Sequence, residues 1–180
     1  MNRPEFVSRH LRSDDDLTSF SSGRTELDLW LRESAHHAEA MRTGRTWVWT
    51  RDRAVVAYYT LAGHLLERQP LPAKVARGSP SLIPAVIVAK LALSRDLHGQ
   101  GLGGLLLADA LRRIISATDV VAARLVVVDA IDEGAGRFYE RFGFSWVPAT
   151  NRLVRKVSDI AADLEDSIRR PTHSAHSARR

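Results

Sequence analysis

Apolar side chains recur at three- and four-residue steps through Leu27, Trp30, Leu31, Ser34, Ala35 and Ala38. That spacing predicts one helix with these positions on a shared face. Ser22 is the expected N-cap and Gly44 the expected stop. The period then changes. Residues 46–50, Thr-Trp-Val-Trp-Thr, read as a strand rich in aromatic and β-branched side chains. Arg51, Asp52 and Arg53 form a tight turn into a second strand over 54–61, so an antiparallel hairpin is predicted. Residues 69–84 hold Pro70, Pro72, Pro80 and Pro84 with Gly78 and two serines, the composition of a loop. Residues 85–93 are almost continuously apolar, as in a strand covered on both faces. A buried helix over 105–115, a buried strand over 125–128 and a helix over 134–142 ended by Gly143 follow. Strands over 144–147 and 153–157 and a last helix over 159–168 complete the pattern. This order predicts one α/β domain over residues 1–168, built on a mixed sheet. Residues 169–180 read as a basic, disordered tail.

Composition narrows the chemistry. Of 180 residues, 44% are hydrophobic, enough for one domain with a core. There is no cysteine, which excludes disulfides, thiolate metal sites and a cysteine nucleophile. Residues 1–16 are polar and lack the apolar stretch of a signal peptide. The best apolar run, 83–93, is broken by Pro84 and Lys90 and is too short to span a bilayer. A soluble, cytoplasmic protein without membrane contact is expected. The net charge of +5 attracts phosphates, on a cofactor or on nucleic acid. A solvated tail carrying Arg169, Arg170, Arg179 and Arg180 accounts for part of the same excess.

The central chemical signal is His98-Gly99-Gln100-Gly101-Leu102-Gly103-Gly104, lying between a predicted strand and a predicted helix. A helix N-terminus offers unpaired N–H groups and positive dipole potential. Glycines let an anion approach that backbone, so the segment is a pyrophosphate cradle by construction. Three readings compete. One is a turn with no ligand. The second is a dinucleotide fold, because Gly99, Gly101 and Gly104 satisfy G-x-G-x-x-G. That motif directly follows its strand, whereas Ser94-Arg95-Asp96-Leu97 intervenes here. No nucleoside-triphosphate loop is present, since no glycine is followed by Lys and then Ser or Thr at the required spacing.

The third reading rests on a resemblance. Residues 91–103 resemble the cofactor segment of the GNAT N-acetyltransferases, Gln/Arg-x-x-Gly-x-Gly/Ala, with Gly101 and Gly103 matching and His98 standing where Gln or Arg is usual. Residues 134–144 resemble the later motif of that family, where a helix ends at Phe-Gly-Phe. The resemblance implies a single-domain α/β GNAT fold with a mixed, mostly antiparallel, splayed sheet flanked by helices. It implies acetyl-coenzyme A as co-substrate, no metal, and direct transfer of acetyl to a primary amine. Leu91, Ala92, Leu93, His98, Gly99, Gln100, Gly101, Leu102, Gly103 and Gly104 are the implied cofactor contacts, together with Asp132, where relatives carry Asn. A backbone N–H near Leu93 is expected to polarise the thioester carbonyl. Tyr139 is the implied general acid toward the sulfur; packing with Phe138 and Phe142 in the core is its alternative role. Asp129, Asp132, Glu133 and Glu140 lie nearby, but none stands out as a base. His36 and His37 are adjacent and cannot form an i, i+4 metal pair.

Phe20-Ser21-Ser22-Gly23 and Leu27-Asp28-Leu29-Trp30-Leu31 further resemble the start of the GNAT toxins of bacterial toxin–antitoxin pairs. Tyr58-Tyr59-Thr60-Leu61 and the long proline-containing loop are similar to theirs too. That group acetylates the α-amine of aminoacyl-tRNA and blocks translation. The resemblance thus implies charged tRNA as acceptor, a small DNA-binding antitoxin as partner and a homodimer. Two alternatives stand beside it: a GNAT enzyme acting on a small-molecule or protein amine, and a GNAT-like binding module without chemistry.

Overall fold

The computed structural model describes residues 6–169. Seven strands form one sheet: β1 (Arg9–His10), β2 (Arg45–Arg51), β3 (Ala54–Glu67), β4 (Leu82–Leu93), β5 (Leu125–Asp129), β6 (Ser145–Trp146) and β7 (Arg152–Lys156). Their spatial order is β1-β2-β3-β4-β5-β7-β6. Only β4 and β5 run parallel; every other pair is antiparallel. The helices are α1 (Thr25–Glu33), α2 (Ala35–Ala40), α3 (Ala73–Ala76), α4 (Leu102–Thr118), α5 (Glu133–Arg141) and α6 (Val157–Arg169). The α/β fold expected from the sequence is the one found. Among the described residues no helix is long and apolar enough to cross a membrane. Residues 170–180, which hold most of the expected tail with His173 and His176, lie outside the described residues.

The strand period of two sorts the side chains into layers. On one face Trp47, Tyr59, Val88, Val126, Val128 and Leu153 pack against Leu106, Leu107, Ala110 and Ile114 of α4 and Ile160 of α6. The opposite face is covered in two parts. Val48, Val55, Tyr58 and Ala92 meet Phe20, Leu31 and Ala35 of the α1–α2 side. Ile83, Ala85, Val127 and Val154 meet Leu71, Val75 and Val147. Trp47 and Trp49 are buried in this core, while Trp30 and Trp146 are half-buried.

Several boundaries differ from the sequence reading. The predicted first helix is two, broken at Ser34, whose φ of −118° leaves the helical path. Ser22 does not cap it; Arg24 holds the N-cap position without a side-chain bond. Ser22 instead donates its hydroxyl to Asp28 Oδ1 at 2.6 Å, while its backbone N–H reaches the same oxygen at 2.8 Å. The proline-rich loop contains the short α3, and β4 begins at Leu82, with Pro84 inside it. β1 was not legible at all: a two-residue edge strand has no period to read.

Candidate active site

A bulge creates the site. Across β3 and β4 Thr60 pairs with Lys90 but Leu61 pairs with Val88, leaving Ala89 as an extra residue. On its other edge β4 pairs with β5 only from Ala85↔Leu125 to Val88↔Val128. Beyond Val88 the two parallel strands separate. Ser94 N–H donates to Val56 O at 2.8 Å, so the alternation of an antiparallel ladder turns the backbone groups of Ala92 toward β3 and those of Leu91 and Leu93 away from it. The N–H groups of Leu91 and Leu93 therefore face the gap that β5 has left. The gap widens into a cleft of about 560 Å³.

Two helix starts border this cleft. At the head of α4, Gly99 and Gly101 have φ of +72° and +73°, the left-handed region that glycine adopts without strain. Gly101 is the N-cap and supplies no side-chain hydrogen bond, which leaves the first-turn N–H groups of α4 without a side-chain acceptor. A Cβ on Gly99 would meet nothing within 4 Å, so any side chain there would stand in the open approach to this backbone. At the head of α5, Asp132 Oδ1 accepts from Ala135 N at 2.8 Å and caps the helix. The other oxygen of Asp132 pairs with Arg24, which reaches across from the α1 side.

Tyr139, on α5, lines the cleft and is only 7% exposed. Phe138 and Phe144 meet its ring edge-on at 5.2 and 5.8 Å. Among the described residues nothing hydrogen-bonds its hydroxyl, and no buried side-chain oxygen lacks a partner, so that hydroxyl opens on the cleft. Burial pushes its pKa up to about 12, with the Asp129 charge adding to the effect. The phenol stays protonated at neutral pH.

The profile of the acetyltransferase (GNAT) domain matches residues 42–145 of this sequence. A tRNA-acetylating toxin of Mycobacterium tuberculosis (strain ATCC 25618 / H37Rv) is 36% identical over 140 residues, 78% of this chain and 84% of that protein. This chain belongs to the GNAT acetyltransferase family. Among solved structures, AtaT complexed with acetyl-methionyl-tRNAfMet superposes with a TM-score of 0.81 at 30% identity, covering 89% of this chain and 99% of that one. A tyrosine-to-phenylalanine mutant of AtaT, bound to the C-terminus of the antitoxin AtaR and acetyl-CoA, gives 0.77 at 28%, covering 89% and 99%.

In this GNAT domain the residues expected from the sequence fall into three groups. Leu91, Ala92, Leu93, His98, Gly103, Asp132 and Tyr139 line the cleft together. Gly99, Gln100 and Gly101 form the exposed loop at its rim, and Gln100 turns its side-chain amide back onto Asp96 O at 2.8 Å. Leu102 and Gly104 serve packing. Leu102 is buried in the core, and a Cβ on Gly104 would stand 2.8 Å from Phe142 Cζ. Gly104 thus lets α5 press against α4. His98 acts on the protein itself: Nε2 lies 2.9 Å from Leu93 O, and since a carbonyl only accepts, Nε2 carries the proton.

Three of the four nearby carboxylates are engaged, and the fourth, Glu140, is exposed. Asp129 takes both its oxygens to Arg152, at 2.7 and 2.8 Å. Glu133 pairs with Arg137. Asp132 is cap and ion-pair partner at once. Sequence reasoning missed Ser22, Arg24, Leu27 and Ile131, which also line the cleft. Arg24 and Asp132 are 108 residues apart, and no periodicity reports such a pair.

Proposed function

We propose that this chain transfers the acetyl group of acetyl-coenzyme A to the α-amine of the aminoacyl group on charged tRNA, as a translation-blocking toxin held in check by an antitoxin. The observation that carries this reading is one cleft with a bare, glycine-lined helix start at its rim and a buried, protonated Tyr139 within it. The relatives supply the acceptor. A protein 36% identical is named for acetylating tRNA, and AtaT was solved with acetylated methionyl-tRNA in one complex and with acetyl-CoA and antitoxin in another. Charged tRNA as substrate places the reaction in the cytoplasm.

The residues present fit the donor. Bare N–H groups at the start of α4 suit a diphosphate, by hydrogen bonding and by dipole. The N–H groups of Leu91 and Leu93 offer an extended arm a strand-like partner. When bound there, acetyl-coenzyme A supplies the acetyl thioester. The N–H of Leu93 is the donor available to a thioester oxygen on that line, and His98 fixes the neighbouring carbonyl so that the strand end keeps its shape. Tyr139 holds a proton at its hydroxyl and delivers it to the departing sulfur. No carboxylate is needed as base: an α-amine has a pKa near ~8, so an appreciable fraction attacks unprotonated at neutral pH.

The test is incubation of purified protein with labelled acetyl-coenzyme A and, separately, charged tRNA, free amines and peptides. Label on aminoacyl-tRNA alone is expected. Label confined to small amines or peptides would contradict the acceptor assignment while leaving the acetyltransferase chemistry in place.

A further inference from the structure

A second pocket lies beside the reactive cleft, and the mechanism above makes no use of it. It has a volume of about 400 Å³, and its lining includes Leu66, Pro70, Leu71 and Val147, with Arg152 at its polar side. Only a short stretch of β5 and its exit separate it from Tyr139. Asp129, whose charge reaches the Tyr139 hydroxyl, is gripped by Arg152. Ala130 donates its N–H to Asn151 O at 2.8 Å and accepts from Asn151 Nδ2 at 3.3 Å, and Ile131 and Asp132, the next residues, line the cleft.

The Arg152 side chain keeps donors beyond those its neighbours take. A guanidinium carries five N–H donors. Nε and Nη2 each give one to Asp129, and Nη1 gives one to His64 Nε2 at 3.0 Å. Two donors remain, on a side chain 27% exposed. Arginine only donates, so His64 Nε2 is an acceptor and the ring is neutral, with its proton on Nδ1. Burial, and then the Arg152 charge, hold the His64 pKa below its ordinary value. The turn that sets Arg152 in place carries a positive φ of 59° at Ala149, costly for a residue with a Cβ. Thr150 Oγ1 fixes that turn, donating to Val147 O at 2.7 Å and accepting from Arg152 N at 3.1 Å.

We infer that this pocket receives the terminal nucleotide of the acceptor RNA, its phosphate on the two spare N–H groups of Arg152 and its base on the apolar wall of Leu66, Pro70, Leu71 and Val147. The inference rests on the tRNA reading above. Asp129 takes the Nε/Nη2 fork, and the remaining N–H on each of Nη1 and Nη2 can donate to a phosphate oxygen, while an apolar wall suits the face of a base. Glu67, exposed and also lining the pocket, is an acceptor available to an N–H on the base edge. Arg152 is on this account a substrate-positioning residue that bonds the acceptor and leaves the donor untouched.

The experiment varies charged tRNA and acetyl-coenzyme A separately for the wild type and for Arg152→Gln, Arg152→Lys and Pro70→Asp. Pro70 is exposed, so its substitution tests the pocket without disturbing the Asp129 ion pair. The KM for charged tRNA is expected to rise about tenfold in Arg152→Gln and Pro70→Asp, and less in Arg152→Lys, with the KM for acetyl-coenzyme A unchanged. Adenosine 5′-monophosphate, the terminal nucleotide of tRNA, is expected to compete with charged tRNA in the wild type and to lose that competition in Arg152→Gln. A KM for charged tRNA within about twofold of wild type in both Arg152→Gln and Pro70→Asp overturns the pocket assignment alone. A wild type that transfers no acetyl to charged tRNA overturns the reading beneath it.

Discussion

The heads of α4 and α5 face one cleft and are finished in opposite ways. The first is capped by a glycine at φ +73° and has no side chain over its N–H groups. The second is capped by the Asp132 carboxylate, which is itself neutralised by Arg24. Both helices end up stable, but only the bare one has positive potential left for an outside anion. The capped helix instead carries Tyr139, one face in the cleft and the rest packed among Phe138 and Phe144. On the proposed mechanism one helix end binds and the other helix reacts. This division separates affinity from turnover.

The largest effect expected from breaking it is on turnover. Tyr139→Phe keeps the ring packing and removes the proton; kcat should fall by roughly 10²–10⁴-fold, with the affinity for acetyl-coenzyme A nearly unchanged in calorimetry. The reverse separation comes from Gly101→Asp, which sets a carboxylate at the start of α4, on a left-handed N-cap that strains any residue but glycine. A carboxylate in the anion's place should weaken acetyl-coenzyme A binding by roughly a hundredfold, while saturating donor restores much of kcat. Asp132→Ala should cost about 1 kcal/mol in denaturant unfolding through loss of the α5 cap, with donor affinity changing far less than in Gly101→Asp. If the two substitutions at the helix heads weaken binding equally, the contrast between the heads has no functional content.

The smallest effect concerns pH. Burial raises the pKa of Tyr139 to about 12, and that of Tyr58 and Tyr59 further still. For groups raised in the fold, the stabilisation is complete below the unfolded value near ~10 and is lost as pH climbs through the folded values. Denaturant midpoints should therefore be insensitive to tyrosine ionisation up to about pH 10 and decline above it, less steeply in Tyr139→Phe. The same shift keeps the acid protonated across the neutral range, so the pH–rate rise should follow the amine near ~8 rather than Tyr139.

Much of this was readable from the chain. The apolar run after the glycine loop located α4 and its head, and the Phe-Gly-Phe ending located α5, because both are local patterns. The buried strands β4 and β5 announced themselves as apolar runs. What stayed hidden is non-local or degenerate. The bulge at Ala89 that opens the cleft depends on register between two strands, and nothing in Val88-Ala89-Lys90 marks it. Gly103 and Gly104 look alike in sequence, yet one lines the cleft and the other makes room for Phe142. Asp132 lines the cleft as the resemblance implies, but that its carboxylate also caps α5 and pairs with Arg24 is not visible in the sequence. The tyrosine on α5 was the most informative single letter, since its motif fixed both its helix and its exposure to the cleft.

The most direct measurement compares calorimetric binding of acetyl-coenzyme A with that of S-acetylpantetheine, which keeps the thioester arm and lacks the diphosphate. If the uncapped start of α4 grips the diphosphate, acetyl-coenzyme A binds the folded protein and the truncated thioester binds at least roughly a hundredfold more weakly. Equal affinity for the two, or no heat with either, would contradict it.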